Sequence, residues 1–583
     1  MRNEYPRPDF IRDSFISLCD EWDFDFDDQN LGHKEKWFTK HQYSKKINVP
    51  FCFESELSGI ADTSYHDYVW YHKHLGKQSI KQNERLIIHF EGVDYFTEIY
   101  LNGFLLSTHY GSNGGFKVDL TDYLNDENDL VVYCFDPSKD RSIPRGKQDW
   151  EEKGHAIWYT RTTGIYKPVF LQVVDEIHVE NFFITTKLDK YQVAVDLELT
   201  ANQGKVEFII GDRSGDVSFE FNVRSKKETH VFNLPNDFVN DRIWTLNNPF
   251  LFDLTIKLYD NQGEVKDIVK SYIGIREVTT KDGYVLLNNK PIYQKLVLNQ
   301  GYYPHGLLTA PSVKDLEADI DYMKEMGFNG CRIHQKTEDP YFLYLCDKKG
   351  FLVWQECAEN YGFNSFNQRR MLNEWIDIVK NNYNHPSIIC YTPLNESWGV
   401  EGIPYDKEIQ AYAMSLYYMI HSLDSSRLVI SNDGWEHCKT DLLTVHNYGH
   451  GEKDNLPKYE KFKKDLSTRE EILKFDCINR FIINPGFVDE GQPIILSEFG
   501  GVAFKKDTGA KAWGYTTCLD ENEYEADLRR IYLAIKESRC IQGICYTQLT
   551  DVEQEVNGLM TFDRKFKIDP SIIKEINDSL EIR

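Results

Sequence analysis

The stretch GFNGCRIHQKTEDPYFLYLCDKKGFLVWQE (327–356) decides the fold. It carries two short apolar strands, Gly330–His334 and Phe351–Glu356, and each runs into polar residues at its end. Outward from it the same rhythm repeats. Candidate strands lie at Ile292–Leu298, Ile388–Asn395, Leu428–Ser431, Leu443–Asn447, Ile494–Ser497 and Gly543–Thr547. Helical stretches lie between several of them. Val313–Met326 ends at Gly327, and Met371–Asn382, Glu408–Leu423 and Glu523–Ser538 carry apolar residues at helical spacing. Eight strands alternating with helices over about 300 residues predict a (β/α)8 TIM barrel across 276–583. The segment 448–493, between strands six and seven, is long, polar and rich in Lys and Asp, and reads as a solvated insertion in preference to a lid.

Ahead of the barrel the chain reads as β-structure. In 1–175, runs such as RLIIHFEGV (85–93), YFTEIYLNG (95–103) and LVVYCFD (130–136) alternate or are β-branched, and Asn102-Gly103 is a two-residue hairpin signal. In 176–275, VAVDLELT (193–200), KVEFIIGD (205–212) and LFDLTIKLYD (251–260) suit a small immunoglobulin-like β-sandwich. No Cys…Trp…Cys pattern accompanies them, so aliphatic packing is expected between the sheets.

Composition narrows the function. The 583 residues are 41% hydrophobic and 27% charged, an ordinary globular balance. The net charge of −25 repels phosphate backbones and argues against nucleic acid as a partner. There is no apolar run long enough to cross a membrane, and the opening MRNEYPRPDF lacks the basic and apolar regions of a signal peptide. Twelve scattered Cys without a C-x-x-C pair read as cytoplasmic free thiols.

In a TIM barrel the active site lies at the C-terminal ends of the strands. Glu396 and Glu498 stand there, each directly after an apolar strand where Glu has poor β-propensity. Three strands apart in a ring of eight, they can face one another across the mouth. Such a pair suits glycosidic-bond cleavage: one carboxyl protonates the leaving oxygen and the other attacks the anomeric carbon. Asn395 can bond a sugar hydroxyl. Tyr448 can donate to the attacking carboxylate, and Arg332 can favour its anionic form. Trp398 and Trp435 can stack on sugar faces or fill the core, Asp433 follows strand five, and His334 and His385 are sugar contacts or structural hydrogen-bonders. No metal is expected, because no tight ligand spacing such as H-E-x-x-H occurs at the strand ends.

These residues resemble glycoside hydrolase family 2, the family of β-galactosidases, β-glucuronidases and β-mannosidases, over nearly the whole chain. GVDYFTEIYLNG with HYGSNGGFKVDLTDYL (109–124) resembles its sugar-binding jelly roll, and GIREV (274–278) with YVLLNNKPI (284–292) its entry into the barrel. NHPSIICYTPLNESWG (384–399) resembles its acid/base motif and PIILSEFGG (493–501) its nucleophile motif. The resemblance implies that Glu396 is the acid/base, that Glu498 is the nucleophile, and that no cofactor is needed. It implies hydrolysis with retention through a covalent glycosyl-enzyme, with carboxyl groups about 5–5.5 Å apart.

Three departures bear on the substrate. Family glucuronidases read the sugar carboxylate with an Asn-x-Lys pair, whereas this chain has Asn557-Gly558-Leu559. A cation from Lys336, Arg145 or Lys147 can substitute. CYTQLTDVEQE (545–555) offers Gln548 and Asp551 as hydrogen-bonding groups where the family often has Trp. The extra domains and metal ligands of the large β-galactosidases are not seen. RSIPRGKQDW (141–150) and IWYTRTTGIY (157–166) resemble jelly-roll loops that approach the barrel mouth, with Arg145, Gln148 and Trp150 as wall residues or plain domain contacts. The expectation is an exo-acting β-glycosidase of small glycosides, β-galactosidase first. The alternatives are β-glucuronidase, β-mannosidase, β-glucosidase and arabinopyranosidase activity, interception of the intermediate by an acceptor sugar, or a carbohydrate-binding protein without catalysis. Family members often form dimers or tetramers, and the sequence leaves this chain's oligomeric state open.

Overall fold

The computed structural model describes residues 2–213, 215–475, 479–504 and 512–582. All eight expected barrel strands form: β1 (Gln294–Asn299), β2 (Gly330–Ile333), β3 (Leu352–Glu356), β4 (Ile388–Thr392), β5 (Leu428–Val429), β6 (Leu443–His446), β7 (Ile494–Gly500) and β8 (Ile541–Thr547). They pair in parallel and in chain order, with β1 beside β8. Between β5 and β6 the seam is closed by irregular bonds, His446 N–H to Gly434 O (3.3 Å) and Gly434 N–H to Thr444 Oγ1 (2.9 Å). Their apolar sequences are buried on both faces, as parallel strands under helices require.

Helices α1 (Val313–Glu325), α2 (Pro340–Lys349), α3 (Ser365–Asn382), α4 (Lys407–Leu423), α5 (Leu456–Leu466), α6 (Arg469–Lys474), α7 (Glu521–Glu537) and α8 (Pro570–Asp578) join them. Side-chain caps start several: Asn364 accepts from Phe366 N–H (2.9 Å) and Asp406 from Glu408 N–H (2.8 Å). The segment 448–493 differs from the expected solvated insertion. Its α5 and α6 bury Phe462, Leu466 and Ile472 in the barrel core, and its lysines face outward around that apolar stripe.

The N-terminal region is a sandwich of two antiparallel sheets of four and six strands. Leu86, Ile88 and Phe90 of one sheet meet Val69, Tyr71, Ile99 and Val132 of the other. The Asn102-Gly103 turn joins Phe96–Leu101 to Phe104–Tyr110, with both turn residues at positive φ (52° and 83°), as a type I′ hairpin needs. The middle region packs a three-stranded sheet on a four-stranded one. Val195, Leu197 and Ile256 fill its core, but Phe182, Phe208, Phe232 and Phe252 share it, so the packing is not aliphatic alone. No helix among the described residues is long and apolar enough to cross a membrane.

Candidate active site

The barrel mouth is organised around one buried cation. Arg332, at the end of β2, has no exposed surface. Its Nη1 lies 2.9 Å from Glu498 Oε1 and 2.6 Å from Asp433 Oδ2, its Nη2 donates to Asn395 Oδ1 at 2.6 Å, and its Nε donates to Glu356. Burial opposes its charge, yet Asp433, Glu356 and Glu498 hold it firmly ionised. The guanidinium fork thus ties together the ends of strands two, three and seven and the loops after strands four and five.

Glu498 sits inside β7. Besides Arg332, its Oε2 accepts the Tyr448 hydroxyl hydrogen at 2.6 Å, and the Tyr448 oxygen lies 2.9 Å from Thr547 Oγ1. Glu396 follows β4 in a loop where both it and Ser397 adopt left-handed backbone (φ 54° and 58°). Such conformations cost about 1–3 kcal/mol each and persist where surrounding bonds enforce them. Here Glu396 N–H donates to Asp433 O (2.9 Å) and Ser397 N–H to Asn432 Oδ1 (3.0 Å). The Glu396 carboxyl keeps 18% exposure and meets His446 Nδ1 at 2.7 Å.

His446 ends β6, and its Nε2 lies 2.8 Å from Asp433 Oδ2. Burial opposes its protonation, but Glu498 and Asp433, with hydrogen bonds to Asp433 and Glu396, push its pKa up to about 10. Asp433 is held well below the usual carboxylate range: burial works against that, and Arg332 and His446 prevail. One oxygen or nitrogen from each of Glu396, His446 and Glu498 lies within 4.8 Å of the others. Among the described residues these three alone have spacing that would accept a metal ion. Arg332 already neutralises Glu498 there, and His446 is shared between Glu396 and Asp433.

The remaining residues singled out from the sequence fall into two groups. Near the carboxylates, His334 is kept neutral by burial and by Arg332, and its Nδ1 lies 3.0 Å from Glu356 Oε2. Trp435 is only 7% exposed and packs edge-on against His446. Trp398 is partly exposed, with Lys147 Nζ 4.9 Å above its ring. The other group makes no hydrogen bond to either carboxylate. Gln548 is buried between Gln300 Nε2 (2.8 Å) and Asn557 Oδ1 (2.9 Å), and Asp551 accepts from Lys567 Nζ at 2.6 Å. His385 is a structural hydrogen-bonder beneath the barrel, 2.6 Å from Asp347. His446 and Glu356 were visible at strand ends, but nothing in their spacing marked them as partners of Glu396 and Arg332.

The jelly roll closes one side of the mouth. Arg145 and Gly146 N–H groups both donate to Glu359 O at 2.9 Å, and the Tyr361 hydroxyl donates to Gly146 O at 2.6 Å. Gly146 has φ 56°, and a Cβ there would lie 2.3 Å from Gln335 O. Arg145 spends its guanidinium on the carbonyls of Gln148 and Asp140, Lys336 pairs with Glu338, and Gln148 bonds Asp94. Lys147, 7% exposed, makes no ion pair among the described residues.

Comparison with known proteins agrees with this architecture. Residues 15–174 match the sugar binding domain of glycosyl hydrolases family 2, residues 177–276 match the domain described as glycosyl hydrolases family 2, and residues 278–579 match the family's TIM barrel domain. A putative beta-glucuronidase of Formosa agariphila is 30% identical over 406 residues, 66% of this chain and 47% of that protein. A beta-galactosidase of Thermoanaerobacter pseudethanolicus is 25% identical over 494 residues, 80% of this chain and 61% of that protein. The chain thus spans only about half to three fifths of the length of these relatives. Among solved structures, the Lactobacillus rhamnosus beta-glucuronidase shares the fold with a TM-score of 0.80 at 21% identity, over 99% of both chains. The Ruminococcus gnavus beta-glucuronidase does so with a TM-score of 0.80 at 18% identity, over 99% of this chain and 98% of that one. With the family's three domains matched in order along nearly the whole sequence, the chain belongs to family 2 of the glycosyl hydrolases.

Proposed function

We propose that this family member is an exo-acting, retaining β-glycosidase in which Glu498 is the nucleophile and Glu396 the acid/base. One observation carries the reading: an oxygen of Glu396 and an oxygen of Glu498 lie within 4.8 Å of each other, in unlike surroundings, too close for the wide inverting spacing. Retaining pairs lie about 5–5.5 Å apart, and inverting pairs stand about 6.5–9.5 Å apart to admit a water. Glu498 is held in aim between Arg332 and the Tyr448 hydroxyl. It attacks the anomeric carbon as the bond to the leaving oxygen breaks and Glu396 supplies that oxygen with a proton. Glu396 then takes a proton from water, the water oxygen bonds the anomeric carbon, and the bond to Glu498 breaks. Asn395, anchored by Arg332 through Oδ1, has its NH2 left for a sugar hydroxyl.

For a neutral sugar the reading is a β-galactoside, supported by the names of several curated relatives. A second reading, a β-glucuronide, is favoured by Lys147. Lys147 feels the Glu555 carboxylate but makes no close ion pair among the described residues, and a substrate carboxylate would supply one. The test is a panel of p-nitrophenyl β-glycosides with Glu498→Gln as the blank, and NMR of the first-formed anomer. Release that vanishes in the variant and yields the β-anomer supports the reading. A first-formed α-anomer, or release that survives in Glu498→Gln, would overturn it.

A further inference from the structure

Four aromatic side chains form a contiguous cluster beside the Glu396 loop, two from each domain. Trp398 of the barrel lies 5.4 Å from Tyr361 and 6.1 Å from Trp158, with rings tilted by only 32° and 33°. Trp150 of the jelly roll stands edge-to-face to both Trp158 (4.9 Å, 62°) and Tyr361 (5.4 Å, 65°) and closes the outer end. The cluster is rigid: Trp158 Nε1 donates to the Tyr361 hydroxyl at 2.7 Å, and that hydroxyl donates to Gly146 O. Its ends are marked by cations. Lys147 lies over Trp398 and lines a small cavity together with His334, whose ring meets Arg332 at 3.3 Å, which places this end beside the carboxylates. Arg141 lies 4.3 Å over Trp150 at the other end. Structural aromatics of this barrel, such as Trp354 and Trp375, are fully buried, whereas all four cluster residues keep part of their surface in solvent. A partly wet run of rings serves binding better than packing.

The proposed reaction gives this cluster a side. The leaving oxygen takes its proton from Glu396, so the departing group lies on the Glu396 flank, and Trp398 is two residues beyond it. We infer that Trp398, Tyr361, Trp158 and Trp150 form the aglycone subsite and select a leaving group with a flat apolar face, either an aromatic ring or a second sugar. The inference rests on the hydrolase reading above, and its test separates the two.

The test compares Trp158→Leu and Trp150→Leu with the unaltered protein on four substrates sharing the sugar identified by the panel: the glycosyl fluoride, the methyl glycoside, the p-nitrophenyl glycoside and a disaccharide. The fluoride leaves without occupying an aglycone subsite and reports the sugar pocket alone. The expected result is a loss of about tenfold or more in kcat/KM on the p-nitrophenyl glycoside, the disaccharide or both, since stacking on one ring is commonly worth that much. The fluoride and the methyl glycoside should stay within about twofold. Which of the two substrates suffers identifies the aromatic or the sugar source. Equal losses on all four substrates would mean a structural role, and no loss on any would mean an idle surface; either overturns the inference. Failure of the unaltered protein to cleave even the fluoride would instead overturn the hydrolase reading and this inference with it.

Discussion

His446 Nδ1 lies 2.7 Å from Glu396 Oε1, while the other ring nitrogen lies 2.8 Å from Asp433 Oδ2. Since Asp433 also meets Arg332, and Arg332 meets Glu498, a continuous chain of charge runs from one candidate catalytic carboxylate to the other through the floor of the barrel. His446 therefore bridges Glu396 to Asp433 and fixes where the Glu396 carboxyl stands.

The pH dependence of stability tests this chain. The histidine pKa is pushed up from its ordinary 6.5 to about 10: burial opposes the shift, and Glu498 and Asp433 overcome it. A group with a raised folded-state pKa contributes stability that is whole below its unfolded value and is lost as pH climbs through the folded one. His446→Asn should therefore lower Tm most at about pH 6, and the gap to the unaltered protein should narrow toward pH 10. kcat should fall about 100-fold through misplacement of Glu396. A Tm gap that is constant over this range would show that His446 is neutral in the folded protein.

Tyr448 offers a second test, on Glu498. Its hydroxyl is the one side-chain donor on Oε2 closer than 3 Å among the described residues. Tyr448→Phe removes that hydrogen bond and leaves the ring stacked on Tyr515. An interaction that orients the attacking oxygen is worth about 10²–10³ in kcat, with KM little changed. Steady-state kinetics would decide it, and a loss under about threefold would remove Tyr448 from the support of the proposed nucleophile Glu498.

Much of this was legible in the sequence because the barrel strands are short, apolar and buried on both faces. Arg332, Glu396, Tyr448 and Glu498 follow from strand ends, where side chains of a barrel converge. Of the four helices that periodicity did not reveal, α6 is only six residues long, and the other three share a physical reason. α2 and α8 begin with a proline and α5 has one in its first turn, a residue that reads as a breaker but whose missing N–H is no loss there. The Asp-Pro starts at 339–340 and 569–570 and the Gly350 stop were the available signals. The floor network was harder to read. His446 and Glu356 act through contacts across the barrel, and chain spacing carries no information about which strand end meets which. Gln548 and Asp551, read as groups for sugar hydroxyls, have their bonds within the barrel wall.

Gly146 lies where a jelly-roll loop packs tightly on the barrel. At φ 56°, with Gln335 O only 2.3 Å from where a Cβ would stand, Gly146→Ala brings both backbone strain and a clash with main chain. The expected cost is about 1–3 kcal/mol in chemical unfolding. Activity should fall with it, because Lys147 and the Glu359 contacts move together. An alanine variant of unchanged stability would mean that the docking of this loop is looser than its paired hydrogen bonds imply.

Lys147 decides between the two sugars. Of the three cations that the sequence offered for an acidic substrate, Arg145 is spent on backbone carbonyls and Lys336 on Glu338. Lys147 has no ion pair among the described residues, and it lies near His334, Glu555 and the face of Trp398. Lys147→Met keeps the apolar stem and removes the charge. If the substrate is a β-glucuronide, kcat/KM on p-nitrophenyl β-glucuronide should fall about 100-fold, because the sugar carboxylate would be desolvated without a partner. Activity on the β-galactoside should hold, since a neutral sugar makes no use of the charge. If the unaltered protein prefers the galactoside and Lys147→Met leaves both rates as they were, the ammonium reads nothing on the sugar and the neutral-substrate reading stands.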